Sequence, residues 1–184
     1  MIAQLIRFRR DQRGVAAVEF ALIAPVLIAM YFGLAEYCQA MMADRKATHV
    51  ASSIGDLVAQ SDQVTASDVA DIFAIGKPLI APFPVTDLKI RVASVKNTNN
   101  VAVVEWGRGS GWAGRPKTST VPEFPKSSTD GTKLFISPGE TVIMSEVEYS
   151  YDSPVDYFLK NKVVFKETFY LRPRKGDAVT CADC

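Results

Sequence analysis

Few side chains in this 184-residue sequence are candidates for chemistry. His49 is the single histidine, set among Lys46, Thr48 and Ser52 on a stretch of helical period. A Ser–His–Asp arrangement needs a cleft, and nothing in the pattern builds one there. Cys181 and Cys184 form C-A-D-C. A single such pair is a weak zinc signal and lacks the βαβ context of a thioredoxin-like site. In an oxidising compartment it would close a local disulfide of structural value. The expectation is therefore no enzyme, no metal and no cofactor. A Gly-, Pro-, Ser- and Thr-rich loop runs from Gly107 to Gly139 and opens with G-R-G-S-G-W-A-G-R-P. No Lys-Ser or Lys-Thr pair follows those glycines at phosphate-loop spacing. Trp106 and Trp112 flank them as a candidate exposed contact surface, although a surface loop with one tryptophan tucked onto a sheet is the simpler reading.

Glu19 is the side chain whose setting asks most for a function. It is the only charge between Val15 and Leu34, a stretch that as helix spans about 30 Å, one hydrocarbon core. A carboxylate in lipid is expensive and by default marks function; the bland alternative is a group snorkelling to water at the membrane edge. Ahead of it, Arg7, Arg9, Arg10 and Arg13 stand against Asp11 and end in Gly14. This basic leader, residues 1–14, fits a cytoplasmic anchor under the positive-inside rule. The net charge of +1 gives no broad basic field, so nucleic acid is not an expected partner. Ordinary secretion is the rival processing route: Gly33-Leu34-Ala35 has small residues for a signal-peptide cut before Glu36. That route leaves Glu19 unexplained, as well as the helical face that continues through the cut. A plain single-pass anchor is a third option.

Small or apolar residues at Ala40, Ala43, Ala47, Val50, Ala51, Ile54 and Val58 recur in steps of three and four, one face of a helix. A single helix from Val15 to Ala59 follows, greasy all round over 15–35 and amphipathic from 36 to 60, with a kink or loosened stretch at Pro25 and a weak spot at Gly55. A short helix is expected over Ala66–Ile75, capped by Thr65 with Asp68 and ended by Gly76 and Pro78. Period-two alternation then places strands from Val85 through Val92, over Val101–Trp106 after a turn at Asn97–Asn100, over Thr141–Tyr151 and over Val163–Leu171. Strands within 85–172 after one long helix predict an α+β fold, an antiparallel sheet lying on the helix. Residues 36–184 would form the domain outside the membrane.

The run R-R-D-Q-R-G-V-A-A-V-E-F-A-L-I-A-P-V-L-I, Arg9 to Ile28, followed by F-G-L-A-E-Y from Phe32 to Tyr37, resembles the TadE-like family. These are pilin-like proteins of the tight-adherence (Tad, or Flp) pilus systems. The resemblance covers about forty residues. It implies cleavage between Gly14 and Val15 by a prepilin peptidase. It makes Glu19 and Phe20 assembly residues, with Glu19 meeting the new α-ammonium of a neighbouring subunit. The remaining chain would follow the pilin-like plan of a short helix and a strand meander. The size of its extra-membrane domain implies a minor pilin or pseudopilin rather than the short major subunit. Its implied partners are other minor pilins, the major Flp-type pilin, the inner-membrane assembly platform and membrane lipid. The alternative is a membrane-anchored or secreted binding module outside any filament.

Overall fold

The computed structural model describes residues 14–127, 131–153 and 161–184. Of the expected basic leader only Gly14 falls among them; its four arginines and Asp11 lie outside the described residues.

Helix α1 spans Val15–Ala59, 45 residues, and runs through Pro25 without a break in its assignment. At about 1.5 Å per residue it is close to 70 Å long. Its second half buries Ala40, Ala43, Ala47, Val50, Ala51, Ile54 and Val58, the stripe expected from the spacing, and with them Glu36, Gly55 and Ala59. Small residues dominate this stripe because the sheet comes very close. A Cβ on Gly55 would lie 2.6 Å from Leu171 Cδ1 and 3.0 Å from Ser145 Cβ. Gly55 is therefore a contact point and not merely a weak spot. Gly55→Val is expected to lower stability by about 1–3 kcal/mol through overpacking. An unchanged midpoint in detergent-solubilised thermal unfolding would mean that the helix does not sit this close.

After a two-residue strand β1 (Gln63–Val64), helix α2 covers Ala66–Leu79. Thr65 and Asp68 form the reciprocal capping box. The expected end at Ile75 is corrected by four residues. Gly76 does not break the helix, because its missing side chain makes room for Ile90 and Val50, which would lie 2.8 and 3.3 Å from a Cβ there. Pro78 sits in the last turn, where the amide it lacks would have made one of the helix's final hydrogen bonds.

A single 3₁₀ turn over Val85–Asp87 precedes β2 (Leu88–Thr98), so the first long strand starts later than Val85. β3 is Val101–Ser110, β4 Thr141–Tyr151 and β5 Val163–Leu171. The last two have the expected bounds. The β2–β3 turn is tighter than the expected Asn97–Asn100 segment: only Asn99 and Asn100 leave the strands, at φ 52° and 63°. Positive φ at both central residues is the hairpin turn whose twist matches that of the strands. β3 runs on through Gly107–Ser110, past its expected end at Trp106. The sheet order is β3-β2-β4-β5, all neighbours antiparallel. β4 returns beside β2 and not beside β3, so the strands do not form a simple meander.

The sheet is covered on both faces. One core joins α1 and α2 to Leu88, Ile90, Val92, Ile143, Val147, Tyr149 and Tyr151. A second gathers Ala93, Val95, Ala102, Val104, Val142 and Met144 under Val121, Phe124 and Ile136 of the β3–β4 loop. The β2–β3 pairing shifts register between Ser94 and Val95, whose partners are Trp106 and Val104. Glu105 is thus an extra residue, a bulge that re-aims the side chains on either side of it. Val104 contributes to the loop-side core and Trp106 to the helix-side core. The last strand, β6 (Thr180–Cys181), pairs in parallel with β1.

Candidate functional site

Among the described residues, nothing covers the first half of α1. It contains an 18-residue window of mean hydropathy 2.2 with none of it buried. Phe20, Leu22, Val26 and Tyr31 are each about two-thirds exposed or more. Such a surface has to be covered by lipid or protein. The packed half begins at Glu36, which is 1% exposed and accepts a hydrogen bond from Ser153 Oγ at 3.1 Å. The bare apolar length and the folded domain meet at this residue.

Glu19 lies on the bare half, one turn from the start of the helix. Its side chain is exposed, and among the described residues that side chain takes part in no hydrogen bond or ion pair. Val15 opens the helix and Phe20 stands beside Glu19, 69% exposed. Gly14 is the N-cap residue; its carbonyl accepts the Val18 amide at 3.0 Å, and a Cβ built on it would meet nothing within 4 Å. The four residues named from the sequence therefore occupy one accessible helix end. A carboxylate there can pair with a cation brought by another molecule. In low dielectric that attraction is large, and either charge left alone is costly.

The other candidates sit elsewhere. Trp106 is 4% exposed and its Nε1 donates to the Val179 carbonyl at 2.7 Å. It is a core residue, so the two tryptophans do not share an exposed surface. Trp112 is half-buried, with the Arg91 guanidinium 3.6 Å from the centre of its ring. His49 is exposed on α1, and its carbonyl accepts Ser52 Oγ. Cys181 and Cys184 are joined in a disulfide with Cα atoms 5.6 Å apart; Cys38 is free and exposed.

One cluster escaped the sequence reading. Glu146 on β4, 7% exposed, receives both Arg91 and Arg115. Arg91 donates through Nε and Nη2 at 2.6 and 2.7 Å, Arg115 through Nε and Nη2 at 2.8 and 2.9 Å. Arg115 also holds Glu123. Burial pushes the Glu146 carboxyl up, but the hydrogen bonds from Arg115 and Arg91 outweigh it and keep the group below its ordinary value. Alternation places Arg91 on the outer face of β2, but no local signal says that a loop arginine 24 positions on reaches the same carboxylate.

The model of the TadE-like protein family matches residues 14–55. No curated protein and no solved structure matches the chain. The matched segment begins at Gly14, includes Val15, Glu19 and Phe20, and ends at Gly55, where α1 touches the sheet. Over residues 14–55 the chain is thus similar to TadE-like proteins, and among the described residues α1 is the one helix long and apolar enough to cross a membrane.

Proposed function

We propose that this protein is a minor pilin or pseudopilin of a Tad (Flp) type IV-like pilus, acting in pilus initiation, assembly and adhesion. The observation that carries the reading is Glu19: an exposed carboxylate without a partner among the described residues, on the bare half of a helix whose other half is packed. Residues 1–14 form the leader, 15–35 the membrane half of α1, and 36–184 a domain on the far side of the inner membrane. A prepilin peptidase cuts after Gly14 and exposes an α-ammonium at Val15. In the assembled state Glu19 of one subunit pairs with that ammonium of its neighbour, while apolar side chains such as Phe20 pack between helices. Such a pair fixes stagger and polarity more than it adds net stability. The sheet domain meets other minor pilins and the major Flp-type pilin, and the assembly platform receives the membrane half.

The test is the intact mass of the membrane-extracted protein from its native host, with and without the prepilin peptidase. A start at Val15 that requires the peptidase is the expected result. A start at Glu36 would make it a secreted binding module. An uncut chain in both strains would overturn processing and leave a membrane-anchored assembly factor.

A further inference from the structure

The segment after Leu171 is tied down at successive points. The Arg174 amide donates to the Ala59 carbonyl at 2.8 Å, and its side chain pairs with Asp56 at the end of α1. Val179 is fully buried and its carbonyl holds Trp106. Thr180 donates its amide to the Asp62 carbonyl at 3.1 Å, within the β1–β6 pairing. Beyond that, Asp183 Oδ1 accepts the Ala66 amide at 2.8 Å, and the Asp183 carbonyl accepts Arg108 Nη2 at 3.3 Å. Ala66 is the first residue of α2, so its amide has no acceptor inside the helix. Helix α2 is therefore capped from two directions: by its own Thr65–Asp68 box and by a carboxylate 117 positions away.

Asp183 sits inside the ring closed by Cys181–Cys184. The ring starts at the last residue of β6 and has only two residues between its cysteines. It leaves Asp183 few backbone conformations, and the observed one aims the carboxylate at the helix end. We propose that the C-A-D-C ring is a redox-controlled clasp on α2: with the disulfide formed Asp183 caps Ala66, and with the thiols free the cap is released. Exchange with a dithiol opens it. The dithiol sulfurs become a disulfide, the Cys181–Cys184 bond breaks, and two protons and two electrons pass to the protein as two thiols. Release stops at Val179, because Trp106 holds that residue from inside the core. The clasp does not depend on the pilus role proposed above, and its test uses neither filament nor peptidase.

Hydrogen exchange on the detergent-solubilised full chain reads it directly, over peptides covering residues 63–70, 176–184 and 104–108. Chelator is present throughout, because free Cys181 and Cys184 with Asp183 form a three-ligand group that a soft metal ion could close instead. Reduction is expected to speed exchange at Ala66 by about fivefold, the effect of a typical lost helix cap. Asp183→Ala with the disulfide intact should do the same at Ala66, and Cys181→Ser with Cys184→Ser should reproduce reduction. The 104–108 peptide should not change in any of the three. Unchanged protection at Ala66 on reduction, or in Asp183→Ala, would overturn the proposal. So would loosening at 104–108, because release would then be unfolding of the core and not a local clasp.

Discussion

Glu19→Ala is expected to leave cleavage after Gly14 largely intact and to abolish most filament assembly. On the proposed role, the substitution strands the α-ammonium of the adjoining subunit in an apolar surrounding. Breaking a buried pair by removing one partner costs about 3 kcal/mol or more, roughly a hundredfold in subunit docking. The folded domain should not notice, because the exposed Glu19 side chain pairs with none of its described residues. Two measurements on one strain separate the outcomes: the mass of the membrane-held protein and the amount of pilus sheared from cells. Mature protein with little pilus is the expected pair. Normal piliation would sink the docking role, and loss of cleavage would move Glu19 from assembly to peptidase recognition. Glu19→Gln sharpens the test: it keeps size and an acceptor oxygen but removes the charge, so assembly should remain impaired.

Where one physical pattern dominates, the sequence was enough to place structure. The helix from Val15 to Ala59 has a continuous apolar first half and a clean three-and-four spacing in its second, and both ends fell as expected. β4 and β5 alternate without interruption and were equally plain. The misplacements share a cause: local punctuation was given weight that tertiary contacts override. Gly76 and Pro78 look like a helix stop, yet the helix continues because Ile90 and Val50 use the space at Gly76. Gly107 and Gly109 look like loop, yet they belong to β3. There the missing side chains admit the returning backbone: a Cβ on Gly109 would overlap the Trp112 carbonyl, and one on Gly107 the Arg115 carbonyl. The second core was hidden for a related reason. It is roofed by irregular loop containing Val121, Phe124 and Ile136, and irregular segments have no period to read. At the candidate site the balance is reversed. Within the proposed site, Glu19 stands out in the sequence as a lone charge in a greasy run, and Phe20 enters only through the family resemblance, whereas Glu146 and Asp183 depend on partners far away in sequence.

Glu146→Ala should be the most damaging single change in the folded domain. It removes the acceptor of four guanidinium hydrogen bonds and leaves Arg91 and Arg115, 16% and 13% exposed at their side chains, facing each other with only Glu123, on Arg115, to offset them. The expected loss is about 3 kcal/mol, the usual effect of breaking a buried pair from one side. It should fall first on the loop that Arg115 pins, and only then on the helix-side core, because Arg115 is that loop's charged tie to the sheet. Limited proteolysis between Gly111 and Val121, set beside global unfolding, distinguishes local release from collapse. The same cluster fixes a pH response. The Glu146 carboxyl is held below its ordinary 4.5 in the folded chain, so its contribution is complete above that value and is lost as pH falls through the lower folded value. Glu123 is lowered too, by its own backbone amide and by Arg115, as is Glu148 by Lys89, and both add loss in the same direction. Stability should therefore hold from neutral pH to about pH 5 and fall below it. The Glu146→Ala chain starts lower but should show a shallower acid slope. Parallel slopes in the two proteins would mean that Glu146 is not the carboxylate whose protonation loosens the domain.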